Sequence, residues 1–191
     1  SPASFGTGKF GNAVILTGAT GSRATFPAAA GNLGKTFSVS LWVKWGNSGA
    51  NPNYHRILTN KTSSTGNSGF QIYSKDNATQ MRNLGSGGTI AERHVTSDWK
   101  NGNWVHLAVA FENGMVSTYA DGSFIGTDDI NPVANSTSNL TLGAEVGGGS
   151  RWNGAVDDLR LYDRPLAQAE VTTIYGGGNG DFVSVRSGSS V

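Results

Sequence analysis

No cysteine occurs among the 191 residues, so a disulfide framework, a thiolate metal site and thiol redox chemistry are all excluded. Charge is scarce, at 14% of residues, and nearly balanced, with 14 basic against 13 acidic groups. That composition does not suit a disordered acidic or basic tail. There is no Lys/Arg-rich run of the kind that marks nucleic-acid binding. The longest apolar runs, Ala13–Leu16 and Leu107–Phe111, are far too short to span a bilayer. Nucleic acid and membrane are therefore not expected partners.

What is plentiful is turn-forming and helix-avoiding: Gly, Ser, Thr and Asn together supply 83 residues, too many for a helical bundle. Apolar residues recur with period two. Phe37, Val39, Leu41, Val43 and Trp45 fall on one face of a strand, as do Val105, Leu107, Val109 and Phe111 of a second. Val156–Tyr162 reads as a third. Shorter candidates are 12–17, 56–60, 70–74, 80–84, 116–120 and 140–143, separated by turn signals such as Asn113-Gly114 and Asp121-Gly122. Nine or more closely spaced strands predict an all-β antiparallel sandwich or barrel. One helix is expected over Pro165–Tyr175, with proline at its first position and Gly176 stopping it. The expected domain covers residues 1–175, and the Gly/Ser-rich 176–191 reads as a linker or C-terminal tail.

The small net charge hides a division. Residues 1–43 hold three basic and no acidic groups, 44–100 hold seven and three, and 101–191 hold four and ten. Either the charges average out over a folded surface, or the middle third builds a basic patch suited to an anionic ligand.

Five local motifs, in order, resemble the laminin-G-like branch of the concanavalin A-like lectin/glucanase superfamily. They are Gly8–Gly18, Thr36–Lys44 with its tryptophan, Gly102–Val109 with Trp104 and His106, the Tyr119-Ala-Asp121-Gly122 hairpin, and Trp152–Tyr162 followed by Pro165-Leu166 and Glu170. The resemblance implies a two-sheet jelly roll, in agreement with the period-two pattern. Proteins similar to this chain include carbohydrate-binding modules, lectins, adhesive domains, glucanases and polysaccharide lyases, so the residues must decide the function.

Catalysis finds little support in them. Glycoside hydrolysis takes two carboxylates facing one another across the bond. The four glutamates (Glu92, Glu112, Glu145, Glu170) have no acidic neighbour two positions away, and Asp128-Asp129 and Asp157-Asp158 are adjacent pairs that a strand sends to opposite faces. Gln71, Tyr73, Arg82 and His106 are residue types found in lyases, but their surroundings do not resemble lyase motifs. No histidine pair has zinc spacing and no Gly-x-Ser-x-Gly elbow is present. No catalytic residue is assigned.

Binding is better supported. With Phe70, Ile72 and the Val105 series inward, alternation sends Gln71, Tyr73, Lys75, Trp104 and His106 to the opposite face of their sheet, joined by Arg82 if Met81 points inward. The resemblance implies that this face is concave. Aromatic, amide and cationic groups together suit a sugar. Tyr54, beside His55 and Arg56, and Trp99 are loop aromatics placed for recognition. Arg56, Arg82 and Arg93 would serve an acidic glycan. The candidate ligand set is Tyr54, Arg56, Gln71, Tyr73, Arg82, Trp99 and His106. The resemblance also implies a structural calcium ion on Asp157, with Asn12 as partner; hard oxygen ligands fit calcium.

The expectation is a non-catalytic carbohydrate-binding module, monomeric, docking a polysaccharide or oligosaccharide that is neutral or anionic. It would be part of a larger secreted enzyme and would hold a covalently linked catalytic domain near its substrate. An adhesin or cell-surface interaction domain is the alternative, and a small lyase or hydrolase using His106, Arg82 and Tyr73 is the third reading.

Overall fold

The computed structural model of the chain describes residues 2–46, 54–61, 68–75, 80–84, 90–94 and 102–177. In chain order the strands are β1 (Ser4–Thr7), β2 (Asn12–Thr17), β3 (Ala24–Phe26), β4 (Thr36–Trp45), β5 (Tyr54–Thr59), β6 (Gln71–Lys75) and β7 (Gln80–Leu84). They continue with β8 (Ile90–His94), β9 (Trp104–Glu112), β10 (Met115–Ala120), β11 (Ser123–Asp129), β12 (Leu140–Leu142) and β13 (Asn153–Tyr162). Among the described residues one α-helix, α1 (Gln168–Tyr175), follows the last strand.

The strands form two antiparallel sheets. One has seven strands in the order β1-β2-β13-β4-β9-β10-β11, the other six in the order β3-β12-β5-β6-β7-β8. Adjacent strands in sequence are often not adjacent in space, as expected of a jelly-roll sandwich. In the centre of the larger sheet, β4 and β9 pair with Phe37 opposite Phe111, Val39 opposite Val109, Leu41 opposite Leu107 and Val43 opposite Val105. The two period-two patterns thus coincide on one face, and every one of these side chains is buried. Phe70, just before β6, meets them from the other sheet: its ring lies 5.0 Å from Phe37, which stacks on Phe111 at 4.5 Å. Each such side chain contributes about 1.5–3 kcal/mol by leaving water.

The larger sheet also buries part of its outer face. There β9 presents Ala108 and Ala110, small enough for Leu166, Val171 and Ile174 to pack down between Tyr119 and Tyr162. Ser38 Oγ fixes the approach by accepting from the Leu166 N–H at 2.8 Å and donating to the Arg164 carbonyl at 2.9 Å. That bond corrects the expected start of the helix. Leu166 is held against β4 through Ser38, Ala167 is extended, and the helix begins only at Gln168. Glu170 Oε2 then accepts from the Ala167 N–H at 2.9 Å, closing the first turn in place of a proline start. Gly176 ends the helix as expected. Of the tail expected over residues 176–191, those from 178 onward lie outside the described residues. No helix among the described residues is long and apolar enough to cross a membrane.

Candidate functional site

On the outer face of the smaller sheet, strand pairing sets Arg56 opposite Tyr73, Tyr54 opposite Lys75 and Thr59 opposite Gln71. A register shift between Arg56 and Leu58 lets Ile57 and Leu58 both reach the core while Arg56 stays outside it. The Arg56 guanidinium lies 4.1 Å from the centre of the Tyr73 ring and 5.4 Å from that of Tyr54, and the two rings are 6.1 Å apart. Cation–π attraction orders this stack. Arg56 Nη2 donates to Glu145 Oε1 at 3.1 Å, and the same oxygen accepts from Ser150 Oγ at 2.9 Å. Burial pushes the Arg56 pKa down, and Glu145 works against that fall.

Glu145 reaches this position through a tightly folded loop. Trp152 N–H donates to the Gly143 carbonyl at 2.8 Å, Glu145 N–H to Gly149 at 2.9 Å and Gly148 N–H to Glu145 at 2.7 Å. The loop docks on β5 through Arg56 N–H, which donates to the Ser150 carbonyl at 2.8 Å. Gly148 has a φ of 86°, a conformation other residues adopt only with strain. Arg151 ties the loop down by donating to the carbonyls of Gly18 and Gly148, at 2.7 and 3.1 Å.

Several polar groups here are unspent. Arg56 Nε and Nη1 and both ends of the Gln71 amide are buried without a hydrogen-bond partner. Leaving such groups unsatisfied costs about 1–3 kcal/mol each. Tyr54, by contrast, is 39% exposed and forms the open end of the stack.

His106 is placed elsewhere. It lies on β9, on the outer face of the larger sheet, fully buried between Trp42 (5.3 Å between rings) and Tyr175 (6.0 Å). Its Nε2 is 2.9 Å from Ser40 Oγ, and its Nδ1 has no partner. Burial first, then the Arg160 charge, lowers its pKa to about 4. Lys9 Nζ, 4.4 Å above Trp42, and Phe10 cover the cluster from the N-terminal side.

The single face expected for Gln71, Tyr73, Lys75, Trp104 and His106 is thus corrected. β6 and β9 belong to different sheets, so the first three and the last two face opposite sides of the sandwich. His106 and Tyr73 accordingly do not make a common lyase-like site. The structure does bring together Tyr54, Arg56, Gln71 and Tyr73. Arg82 pairs with Tyr73 in backbone register and stands opposite Glu92. Trp99 lies outside the described residues. Glu145 and Ser150 are the members that sequence reasoning missed; the only signal was the Gly147–Gly149 run that shapes their loop. Trp45 and Trp152 pack on one another in the core, 5.0 Å apart, with His55 against Trp45 at 4.6 Å.

In the same row of the larger sheet as Trp42 and His106, Asp157 is buried on β13, opposite Trp42. Its Oδ2 accepts from Phe10 N–H and its Oδ1 from Asp158 N–H, both at 2.8 Å. The carboxylate therefore ties the turn before β2 to the last strand. Asn12 opens β2 just after that turn and is exposed. Among the described residues no three His, Asp or Glu side chains stand together for a metal. A calcium ion here would draw on the Asp157 carboxylate, a suitable hard donor, and on backbone oxygens.

A family model described as the concanavalin A-like lectin/glucanases superfamily matches residues 18–172. Adhesion G-protein coupled receptor V1 of Danio rerio is 25% identical over 149 residues, 73% of this chain. The chain spans only 2% of that receptor's length. Among solved structures, domain 4 of AbnA, a GH43 extracellular arabinanase from Geobacillus stearothermophilus, in complex with arabinotriose, is similar with a TM-score of 0.69. It is 22% identical, with 92% of this chain and 82% of that one covered. The CBM40 of the Ruminococcus gnavus IT-sialidase, bound to alpha2,3 sialyllactose, is similar with a TM-score of 0.65 and 15% identity, covering 86% and 96%. At these identities the solved structures show the fold alone.

Proposed function

Because the chain belongs to the concanavalin A-like lectin/glucanase superfamily, we propose that it is a non-catalytic carbohydrate-binding module whose site is the outer face of the smaller sheet. The observation that carries this reading is the Tyr54–Arg56–Tyr73 stack, with unspent hydrogen-bonding groups on Arg56 and Gln71 beside it. A sugar offers a flat apolar ring face to an aromatic and hydroxyls to polar groups, so one ligand class answers both features. The sugar complexes of the arabinanase domain and the sialidase module support it by analogy.

Docking would be reversible, and a covalently linked catalytic domain in a secreted parent enzyme would gain effective concentration at its substrate. The module would act as a monomer, with residues 176–191 as the linker. Structural calcium at Asp157, with Asn12 beside it, is a separate part of the proposal and takes no role in sugar contact.

The test is affinity electrophoresis of the whole chain in gels containing neutral, uronate-rich or sulfated polysaccharides. Retardation by at least one class is expected, without shortening of the polysaccharide. Tyr54→Ala should weaken it about tenfold, the worth of one exposed ring contact. Unretarded migration in every gel would sink the reading. The similarity to an adhesion receptor favours a second reading, a cell-surface interaction domain. In that case a purified protein or a cell surface would be bound better than any polysaccharide.

A further inference from the structure

Resting on the carbohydrate-binding reading, we infer that this site selects uncharged over anionic glycans, because its central cation is already neutralised from within the chain. Among the described side chains Arg56 is the arginine of the stack, and its charge is taken by Glu145 through the contact at 3.1 Å. The pair is largely shielded from water: the Arg56 side chain is 5% exposed and that of Glu145 33%. Ser150 Oγ holds the carboxylate in place, and the hydrogen-bonded Gly143–Trp152 loop holds both.

Of the other cations that sequence reasoning offered to an acidic ligand, Arg93 is committed in the same way. Arg93 Nη2 donates to the Thr127 carbonyl and forms an ion pair with Asp128. A carboxylate or sulfate entering the stack would therefore meet Glu145 at close range. It would have to displace that carboxylate or share Arg56 with it, and like charges set together at an interface are strongly disfavoured.

A hydroxyl group meets no such conflict. Arg56 Nε and Nη1 and the Gln71 amide, buried and unpartnered, keep donors and an acceptor for a hydroxyl that enters the stack beside the exposed Tyr54. Vicinal sugar hydroxyls both donate and accept, so they can satisfy this mixture, whereas an anion only accepts. The Arg56–Glu145 pair then acts as a selectivity filter: it keeps the guanidinium over Tyr73 for hydrogen bonding while cancelling its long-range pull on acidic chains.

The experiment uses polysaccharide pairs with the same backbone and different charge: methyl-esterified against de-esterified homogalacturonan, and chemically desulfated against native sulfated galactan. Affinity electrophoresis and titration calorimetry at low salt compare the whole chain with Glu145→Gln, which keeps the side-chain shape and removes the charge. The intact chain should bind the neutral member of whichever pair it recognises at least about tenfold more tightly. Glu145→Gln should narrow or reverse that ratio by tightening the anionic member, and added salt should undo the gain. Tighter binding of the anionic member by the intact chain overturns the inference and leaves the carbohydrate reading standing. An unchanged ratio in a folded Glu145→Gln, with its melt checked, overturns it as well. Binding to no member of either pair, nor to neutral arabinan or xylan, overturns the carbohydrate reading itself and this inference with it.

Discussion

His106 has no solvent exposure, one ring nitrogen 2.9 Å from Ser40 Oγ, the other unpartnered, and two aromatic rings against it. Such a site tolerates the neutral imidazole and resists the cation, so its pKa falls to about 4. The consequence for stability follows from the direction of that shift. Above the ordinary value of 6.5 the side chain is neutral folded or unfolded and contributes no pH dependence. As pH falls from 6.5 towards about 4, the unfolded chain takes up a proton that the folded protein refuses, and stability declines; below about 4 the loss is complete. The gap amounts to about 3 kcal/mol. His55, also lowered mainly by burial, adds to the loss in the same direction. Urea unfolding between pH 4 and pH 7 should therefore show a steep acid limb that His106→Gln makes shallower. Equal slopes for the two proteins would remove His106 as its source. The same residue shows what a sequence can and cannot tell. Alternation correctly put His106 outside the main core, but its covering comes from Tyr175, in a helix 69 positions later in the chain, and no local pattern announces that.

At the scale of elements, the two hairpins of the larger sheet were legible because their turns admit few residues. Asn113-Gly114 and Asp121-Gly122 join β9 to β10 and β10 to β11 through two-residue loops, with φ of 48° and 99° in the first and 47° and 77° in the second. Positive φ at both positions is the turn that suits twisted strands, and Asn-Gly and Asp-Gly are its usual residues. The second turn has a further duty. Gln168 Nε2 and Thr172 Oγ1, one turn apart on α1, both donate to the Gly122 carbonyl, at 2.6 and 3.1 Å. A Cβ on Gly122 would stand 2.8 Å from the Tyr175 ring. Gly122→Ala should thus cost about 2 kcal/mol, from left-handed strain and the displaced helix end together. Gly11→Ala, at a φ of 64° with nothing within 4 Å, should cost only the strain, about 1 kcal/mol. Urea melts of the two variants measure the difference, and equal losses would mean the helix end yields freely. Strands with an apolar alternation were found from sequence, whereas β1, β3, β8 and β11 were not. β11 has no buried residue to set a period, and β3 has only three residues. Edge strands of this kind exist because a neighbour offers its backbone, which composition does not record.

For the whole molecule, the decisive fact absent from the sequence was which strand joins which sheet. Period two sorts residues into faces, but β4 pairs with β9 across more than sixty residues while β6 pairs with β5 and β7. Hence Tyr54 and Arg56, expected in a loop apart from the face of Gln71 and Tyr73, stand on β5 beside them, and Trp104 and His106 were grouped with Gln71 and Tyr73 although they lie on the far side. The sandwich gives its two outer faces different tasks: one is sealed by α1, the other carries the stack of aromatic and polar groups. Closure of the larger sheet at its β2–β13 side depends on Asp157, which gathers the N–H groups of Phe10 and Asp158. Each of its oxygens keeps a further lone pair, so a calcium ion held there with backbone oxygens would reinforce the same junction between the first and last strands. If that ion is present, excess chelator should lower the melting temperature by several degrees, since an ion bound only to the folded state stabilises by mass action. Added calcium should restore it where magnesium, with its stricter octahedral demand, does not. Binding of a neutral glycan should survive chelation, because Asp157 is on the sheet opposite the sugar site. An unchanged melting temperature would assign Asp157 to anchoring the turn alone, through the two hydrogen bonds already in place.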